Sequence, residues 1–225
     1  MNQTTRTIGV LHTGAFLTSN FNELFAEILP DYAVANVVDE SLIQRTIEAG
    51  HLTARTRRRV AQHLFCLEDL GVEALLVTCS SIGPAVDATR PMLEVPALRV
   101  DAAMAARAVS IGPRIGVLAT LETTLAPTAT MIREQATAVG ADVTVDERVC
   151  EGAYEAVKSG DVERHDLIVS QGLEDLASKV DVVVLSQASM ARSAELLESL
   201  GNLPPILTSP RLGVEALRDL LTEAP

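Results

Sequence analysis

Short apolar runs alternate along the chain with longer segments in which apolar residues recur every three or four positions. Continuous runs of Val, Leu and Ile are typical of strands buried on both faces, and the longer segments are typical of amphipathic helices. Four such runs occupy the first hundred residues, at 7–13, 33–39, 74–79 and 96–100. The pattern therefore predicts a parallel sheet with helices on both of its faces.

The same order of runs occurs a second time in the rest of the chain. The second set lies at 114–120, 142–149, 180–187 and 204–209. The offset is 107 residues between Ile8 and Ile115 and 109 residues between Pro96 and Pro205. This repeat predicts an α/β protein of two similar Rossmann-like lobes, each a mainly parallel four-stranded sheet flanked by helices, related by a pseudo-twofold axis.

The repeat also predicts the domain boundaries. The first lobe is expected to comprise residues 1–100 and 210–225, because a final helix at about 210–221 is expected to pack back on it, and the second lobe to comprise 101–209. Ligands of open parallel sheets bind beyond the carboxyl ends of the strands. If the two lobes face each other, both sets of strand ends surround one cleft.

Composition narrows the possible partners. Hydrophobic residues make up 48% of the chain, which is ample for a core, and the formal net charge is −12. That charge weighs against nucleic-acid and membrane-surface partners, and the one basic cluster, at 55–59, is interpreted as a solvated helix face. Three cysteines without zinc or CxxC spacing fit a reducing cytoplasm. No signal-like segment or long apolar span is seen, so a cytoplasmic protein is predicted.

Cys79 is the first candidate for chemistry, because it ends a strand-like run just before a predicted helix. Backbone N–H groups and the dipole at a helix start favour a thiolate, so Cys79 is a candidate base or nucleophile. The alternative is a small buried residue, which is a common role for a free cysteine. Core packing is the expectation for Cys66, inside a helix, and for Cys150.

His12 follows the first strand and can exchange a proton near neutral pH, which makes it the candidate second acid or base. The alternative is a hydrogen-bonded structural histidine. The other histidines, His51, His63 and His165, are scattered over loop and helix positions, so no metal site is predicted. No P-loop or GxGxxG turn is found, and no nucleotide cofactor is expected.

Hydroxyl and amide side chains cluster at the predicted strand ends, where they suit a carboxylate or a developing oxyanion. The candidate substrate-binding residues are Thr13, Thr78, Ser80, Ser81, Thr120, Thr123, Thr124, Gln187 and Ser189. Any single one has an alternative role as a helix cap, Ser81 and Thr124 in particular. Their convergence on one cleft is what favours a ligand site.

These segments resemble the aspartate/glutamate (hydantoin) racemase superfamily, which includes maleate isomerases and arylmalonate decarboxylases. The resemblance rests on "IGVLHTG", "VTCSS", "RIGVLATLETT" and "VVVLSQASMAR", and it spans nearly the whole chain. It implies cofactor-independent chemistry, in which thiols move a proton on a carbon next to a carboxylate or carbonyl. It also makes a homo-oligomer plausible.

The sequence departs from the two-thiol pattern of that superfamily at Gln187, which aligns with Cys79 in the internal repeat and has no acid or base form at neutral pH. Three mechanisms stay open: Cys79 acts with His12, acts alone as in decarboxylation with one-sided protonation, or attacks the substrate covalently. The leading hypothesis is an isomerase or lyase for a small carboxylate or cyclic carbonyl compound. The alternative is a non-catalytic binding or regulatory protein that lost the second cysteine.

Overall fold

The structure of the protein, a computed structural model, describes residues 6–190, 192–193 and 203–223. Contacts between residues divide the chain into two compact units. Unit 1 comprises Met1–Val100 and Pro210–Pro225, and unit 2 comprises Asp101–Ser209. Each unit contains a sheet of four parallel strands, so the predicted α/β class with two parallel four-stranded sheets flanked by helices is confirmed.

Unit 1 alternates strands and helices from its first element. Its strands are β1 (Thr7–His12), β2 (Ala33–Val38), β3 (Ala74–Val77) and β4 (Ala97–Arg99), and its first helices are α1 (Leu17–Ile28), α2 (Ser41–Ala49), α3 (Ala54–Glu68) and α4 (Gly83–Thr89). The order across the sheet is β2-β1-β3-β4. The crossover helices explain why all neighbouring strands run parallel.

The apolar pattern explains which strands lie at the centre of this sheet. Every residue of β3 is buried, and β1 is buried from Ile8 onward, whereas β2 at the sheet edge alternates in exposure. Helix α3 covers β1 and β3 with Leu64 and Leu67, while its arginines at 55 and 57–59 are exposed. The helix begins at Thr53, whose hydroxyl accepts a hydrogen bond from the Thr56 N–H.

Unit 2 follows the same plan. Its strands are β5 (Arg114–Ala119), β6 (Thr144–Val149), β7 (Val182–Leu185) and β8 (Ile206–Thr208), and its helices are α5 (Ala102–Ile111), α6 (Glu122–Val139), α7 (Ala153–Lys158) and α8 (Val162–Ala177). The strand order is β6-β5-β7-β8. Among the helices of the described ranges, none has the length and apolar character that crossing a bilayer requires.

Helix α9 (Ser209–Glu223) returns the end of the chain to unit 1. Arg211 on this helix forms an ion pair with Glu27 of α1, and a side chain at Gly213 would lie 3.0 Å from the backbone oxygen of Val100. The helix therefore approaches the end of β4 so closely that only glycine fits at position 213.

Strand register shows which positions of the two units are equivalent. Leu11 of β1 pairs with Val77 of β3, and Leu118 of β5 pairs with Leu185 of β7. Cys79 and Gln187 each lie two residues beyond the paired residue of their strand, at the carboxyl ends of β3 and β7. They therefore occupy equivalent positions at the sheet edge where parallel α/β proteins bind ligands.

Candidate functional site

Cys79 lies two residues beyond β3, in extended conformation with φ −132° and ψ 116°. A single 3-10 turn, Ser80–Ile82, follows directly and leads into α4, which has Pro84 in its first turn. This tight turn brings the backbone N–H groups of Ser81 and Ile82 to the sulfur. The Cys79 side chain is half-buried, so it combines a dry setting with some access from outside.

Two opposing effects act on the Cys79 thiol. Burial raises the pKa of Cys79, because the thiolate loses solvation in a dry setting. The Thr13 hydroxyl, the N–H groups of Ser81 and Ile82, and the Ser81 hydroxyl donate toward the sulfur and oppose that rise. The balance leaves the pKa of Cys79 above its ordinary value. The donors expected at a helix start are present, but desolvation outweighs them.

His12 is fully buried at the end of β1. Its Nε2 atom lies 2.9 Å from Oδ1 of Asn36, its Nδ1 atom lies 3.0 Å from Oγ1 of Thr78, and its ring meets Phe21 edge to face. Burial lowers the pKa of His12, although the hydrogen bond to Asn36 opposes that effect. Both ring nitrogens are thus engaged, and the acid–base role predicted for His12 stays a prediction.

The hydroxyl residues predicted in unit 1 take different directions. Thr13 and Ser81 are directed to the sulfur of Cys79. Thr78 is directed to His12 and lies 3.3 Å from the backbone oxygen of Leu11. Ser80 is buried in the 3-10 turn, as are Ser81 and Ile82. Only part of the predicted set is therefore directed to the sulfur of Cys79.

In unit 2, Gln187 makes contact with Thr120. The Oε1 atom of Gln187 accepts hydrogen bonds from the backbone N–H of Thr120 at 2.5 Å and from the Thr120 hydroxyl at 2.8 Å. The amide NH₂ of Gln187 therefore faces away from Thr120. Thr120, predicted as a substrate contact, therefore donates both hydrogen bonds to the protein's own carboxamide.

The remaining predicted residues of unit 2 lie in the first turn of α6 or after β7. Thr124 is buried and its backbone oxygen accepts the Thr128 hydroxyl, and the Thr123 hydroxyl has no hydrogen-bond partner among the described residues. Ser189 lies in the 3-10 turn Ala188–Met190, but its side chain is outside the described part of the structure.

A cavity of about 790 Å³ opens in unit 2 at the carboxyl ends of β5 and β6. Thr120 forms one wall, and the first turns of α6, α7 and α8 supply the others. The charged side chains that line it are Glu122, Glu151, Glu155, Asp161 and Arg164. Four carboxylates and one guanidinium leave the lining with negative charge. Sequence reasoning missed these acidic residues, which share only their positions near helix starts.

The other two cysteines differ from Cys79 in their exposure. Cys150 is buried against α8, and burial raises its pKa to about 11. Cys66 is exposed, so the expectation that it is buried is wrong. It lies on the solvent side of α3, because Leu64 and Leu67 occupy the face turned to the sheet.

Sequence reasoning also missed a polar cluster behind the segment that follows Gln187. Asp166 on α8 accepts the Ser193 hydroxyl at 2.9 Å, lies 3.1 Å from Nδ1 of His165 and pairs with Arg192 at 3.2 Å. His165 is buried. Across the part of the chain that the structure describes, no three His, Cys, Asp or Glu side chains group as metal ligands would.

Comparison with known proteins places these features in a family. Glutamate racemase from Francisella tularensis, solved with D-glutamate, has a TM-score of 0.77 at 18% identity, covering 97% of this chain and 81% of that one. Aspartate racemase from Picrophilus torridus has a TM-score of 0.71 at 13% identity, covering 97% and 93%. Allantoin racemase from Klebsiella pneumoniae has a TM-score of 0.65 at 14% identity, covering 96% and 88%.

These identities are low, so the three structures show a shared fold. No curated protein was found that matches the chain. The sequence model of the Asp/Glu/Hydantoin racemase family, however, matches residues 8–217, which include both sheets and both strand-end segments. The chain therefore belongs to the Asp/Glu/hydantoin racemase family.

Proposed function

We propose that the protein is a cofactor-independent isomerase that acts on the carbon next to a carboxylate or carbonyl of a small substrate, with Cys79 as base or nucleophile. Membership of the family supports a racemase or isomerase function. The observation that carries the specific proposal is the half-buried Cys79 thiol at the carboxyl end of β3, with Thr13 and the N–H groups of Ser81 and Ile82 directed to its sulfur.

The proposed chemistry is proton transfer at an acidic carbon. Removing a proton next to a carboxylate builds negative charge on oxygen, and fixed donors placed for that charge are commonly the largest catalytic contribution. The candidate donors are the hydroxyls predicted as substrate contacts, among which Thr120 and Thr78 exchange their present partners, Gln187 and His12, for a substrate oxygen. A positioned base contributes about 10²–10⁴-fold in rate.

The raised pKa of Cys79 predicts how the activity depends on pH. A base acts in its deprotonated form, so the reactive fraction of Cys79 grows as the pH rises toward the pKa of the thiol. We therefore expect turnover and alkylation of Cys79 by iodoacetamide to increase together from neutral to alkaline pH. A profile that is already flat at neutral pH would contradict the desolvated setting of the sulfur.

Gln187 favours a second candidate, a lyase that protonates its product from one side. The position equivalent to Cys79 in unit 2 holds a carboxamide, whose oxygen is engaged by Thr120. Racemisation by two bases needs an ionisable group on each face of the carbon, whereas decarboxylation needs one proton donor. The single thiol at the paired positions therefore suits a decarboxylase as well as a one-base isomerase.

The cavity beside Thr120 bears on the substrate. Its lining holds four carboxylates and one guanidinium. A substrate group that enters it is expected to be neutral or cationic, because a second carboxylate there would meet like charge. Among substrates of the structural neighbours, this favours the uncharged ring of allantoin over the dicarboxylates glutamate and aspartate.

The deciding experiment follows candidate substrates by proton NMR in D₂O. Allantoin, aspartate, glutamate, maleate and an arylmalonate are each incubated with the protein. An isomerase exchanges the α-proton or interconverts isomers, whereas a decarboxylase releases CO₂ and places one deuteron on the product. Chiral analysis of the product separates one-sided from two-sided protonation.

Variants identify the reactive residue. Cys79→Ala is expected to abolish whichever reaction is found, while the matched control Cys66→Ser, an exposed cysteine, retains it. Full activity in Cys79→Ala would overturn the proposal. Saturable binding of a substrate without any turnover would instead identify a non-catalytic binding protein.

A further inference from the structure

A chain of hydrogen-bonded side chains in unit 1 runs from the exposed Asn22 and Asn36 to the buried His12 and Thr78, and Thr78 directly precedes Cys79. We infer that His12 is a positioning residue: as a neutral imidazole protonated at Nε2, it accepts the Thr78 hydroxyl and thereby fixes the strand end that presents Cys79. The functional meaning of this role rests on the proposed reactivity of Cys79, but the hydrogen-bond arrangement is testable without a substrate.

Asn36 determines which ring nitrogen of His12 carries the proton. The Nδ2 atom of Asn36 donates to Oδ1 of Asn22 at 3.2 Å, so the Oδ1 atom of Asn36 is the one that faces the ring at 2.9 Å. A carboxamide oxygen only accepts, and it therefore requires a proton on Nε2 of His12. In a neutral imidazole, Nδ1 is then an acceptor.

Thr78 supplies the donor for that acceptor. Its hydroxyl lies 3.0 Å from Nδ1 of His12 and 3.3 Å from the backbone oxygen of Leu11, so the shorter contact is to the ring. The backbone N–H of Thr78 donates to the same Leu11 oxygen at 3.1 Å. Main chain and side chain together tie Thr78 to β1, and Thr78 directly precedes Cys79.

The surroundings keep the ring neutral. His12 is fully buried, and the groups around it are Phe21 from α1, Asn36 from β2 and Thr78 from β3. None of these is charged. The carboxylate of Asp39, next after β2, is bound instead by Ser41, Arg59 and His63. Burial without a charged partner disfavours the imidazolium.

Unit 2 supports the link between His12 and the cysteine. The position equivalent to His12 is Ala119, one residue before Thr120, and the position equivalent to Thr78 is Ser186, one residue before Gln187. Unit 1 therefore has both Cys79 and the histidine, whereas unit 2 has Gln187 and Ala119 at the two equivalent positions.

The first test is the tautomer. Two-bond ¹H–¹⁵N spectra of ¹⁵N-histidine protein, with the His12 signal assigned from its loss in His12→Asn, are expected to show the neutral Nε2–H form at about pH 8. A protonated ring, or the Nδ1–H form, would overturn the inference.

The second test uses matched substitutions in a Cys66→Ser background, so that iodoacetamide reports Cys79. His12→Asn keeps an acceptor near the position of Nδ1, whereas His12→Gln keeps only a group near Nε2. We expect His12→Asn to retain the wild-type pH profile of alkylation. In His12→Gln and in Thr78→Val the end of β3 is no longer held by the hydrogen bond between His12 and Thr78. The hydrogen-bond donors around the sulfur of Cys79 are then misplaced, and the rate of alkylation at fixed pH is expected to fall about five- to tenfold.

Thr78→Val is close in shape to threonine and keeps the test open if His12→Gln does not fold. Thr78→Ser keeps the hydroxyl and is expected to keep the wild-type pH profile of Cys79 alkylation. Equal profiles for all variants would overturn the inference. So would loss of substrate α-proton exchange in His12→Asn with an unchanged alkylation profile, because that result identifies His12 as an acid or base. The histidine spectra and the alkylation rates test the inference on His12 even if the protein turns over no substrate.

Discussion

The two units share one backbone plan and differ in the side chain that lies two residues beyond the third strand of each. In unit 1 the Thr13 hydroxyl is directed to the sulfur of Cys79, and in unit 2 the equivalent Thr120 hydroxyl donates to the carboxamide oxygen of Gln187. The same threonine therefore serves a group that ionises in one unit and a group that does not in the other. The fold supplies the position, and the side chain supplies the chemistry.

The difference extends one layer behind these residues. The end of β1 carries His12, whereas the end of β5 carries Ala119. The residue after β2 is Asp39, which binds charged groups, whereas the residue after β6 is the buried Cys150. At these two strand ends, unit 1 thus has the polar side chains His12 and Asp39, whereas unit 2 has the small side chains Ala119 and Cys150.

Replacing Cys79 by glutamine, the residue at the equivalent position of unit 2, is expected to have the largest effect. Cys79→Gln gives both units a carboxamide and is expected to lower turnover by about 10²–10⁴-fold, because the base is removed. The NMR reaction in D₂O measures the turnover. Retained turnover in Cys79→Gln would place the base elsewhere.

Thr13 and Thr120 occupy equivalent positions in the two units and allow a matched pair of substitutions. Thr13→Val removes a donor from the sulfur of Cys79, and hydrogen bonds to charged groups contribute about 1.5–3 kcal/mol. The pKa of Cys79 then rises further, and alkylation at a fixed pH is expected to slow about 10–100-fold. Thr120→Val, the matched change in unit 2, is expected to leave that rate unchanged. Equal slowing in both variants would show that the effect is not local to the sulfur.

Two equivalent glycines test whether the packing of the units is as similar as their topology. A Cβ at Gly9 would lie 2.6 Å from Leu75, and one at Gly116 would lie 2.5 Å from Leu176 of α8. Overpacking of this kind costs about 1–3 kcal/mol. Both Gly9→Ala and Gly116→Ala are therefore expected to lower the thermal unfolding midpoint. A loss in only one variant would reveal that one unit is packed less tightly at its central strand.

The charge at Asp39 makes the smallest and most pH-dependent contribution. Although burial opposes ionisation, hydrogen bonds from Ser41, His63 and Arg59 hold the pKa of Asp39 well below its usual range. A carboxyl group with a lowered folded pKa stabilises above its unfolded pKa, near 4, and loses that contribution as pH falls through the folded value.

Asp39→Asn is accordingly expected to cost about 1 kcal/mol at neutral pH, after allowance for the half-exposed partner Arg59. The cost is expected to shrink below about pH 4. Thermal unfolding at neutral and acidic pH measures the difference. Cys150→Ala at the equivalent position is the control, because its cost has no reason to vary over that range. A cost for Asp39→Asn that is constant with pH would show that its effect is steric.

Much of the fold was predictable because strand and helix periods are local properties of the chain. The run at 74–79 predicted β3 (Ala74–Val77), and the repeat predicted that Cys79 and Gln187 are equivalent, as the register shows. The exposure of Cys66 was not predicted, since a helical cysteine next to apolar residues fits either face until the sheet defines the inner one.

The contacts within the site were harder to predict. The sequence placed His12 at a strand end, but its partners Asn36 and Thr78 come from β2 and β3, which meet β1 only in the folded sheet. The contact between Thr120 and Gln187 joins residues 67 positions apart. No local pattern signals whether a carboxamide turns its oxygen or its nitrogen toward a neighbour.

The sequence by itself determined the alternation of strands and helices, the internal repeat, and the presence of one thiol and one carboxamide at matching positions. These follow from side-chain polarity and spacing along the chain. Only the tertiary structure decided that desolvation outweighs the donors around Cys79, that His12 is held between Asn36 and Thr78, and that Gln187 engages Thr120. Burial and hydrogen-bond partners depend on residues distant in sequence, so they are defined only when the sheets are assembled.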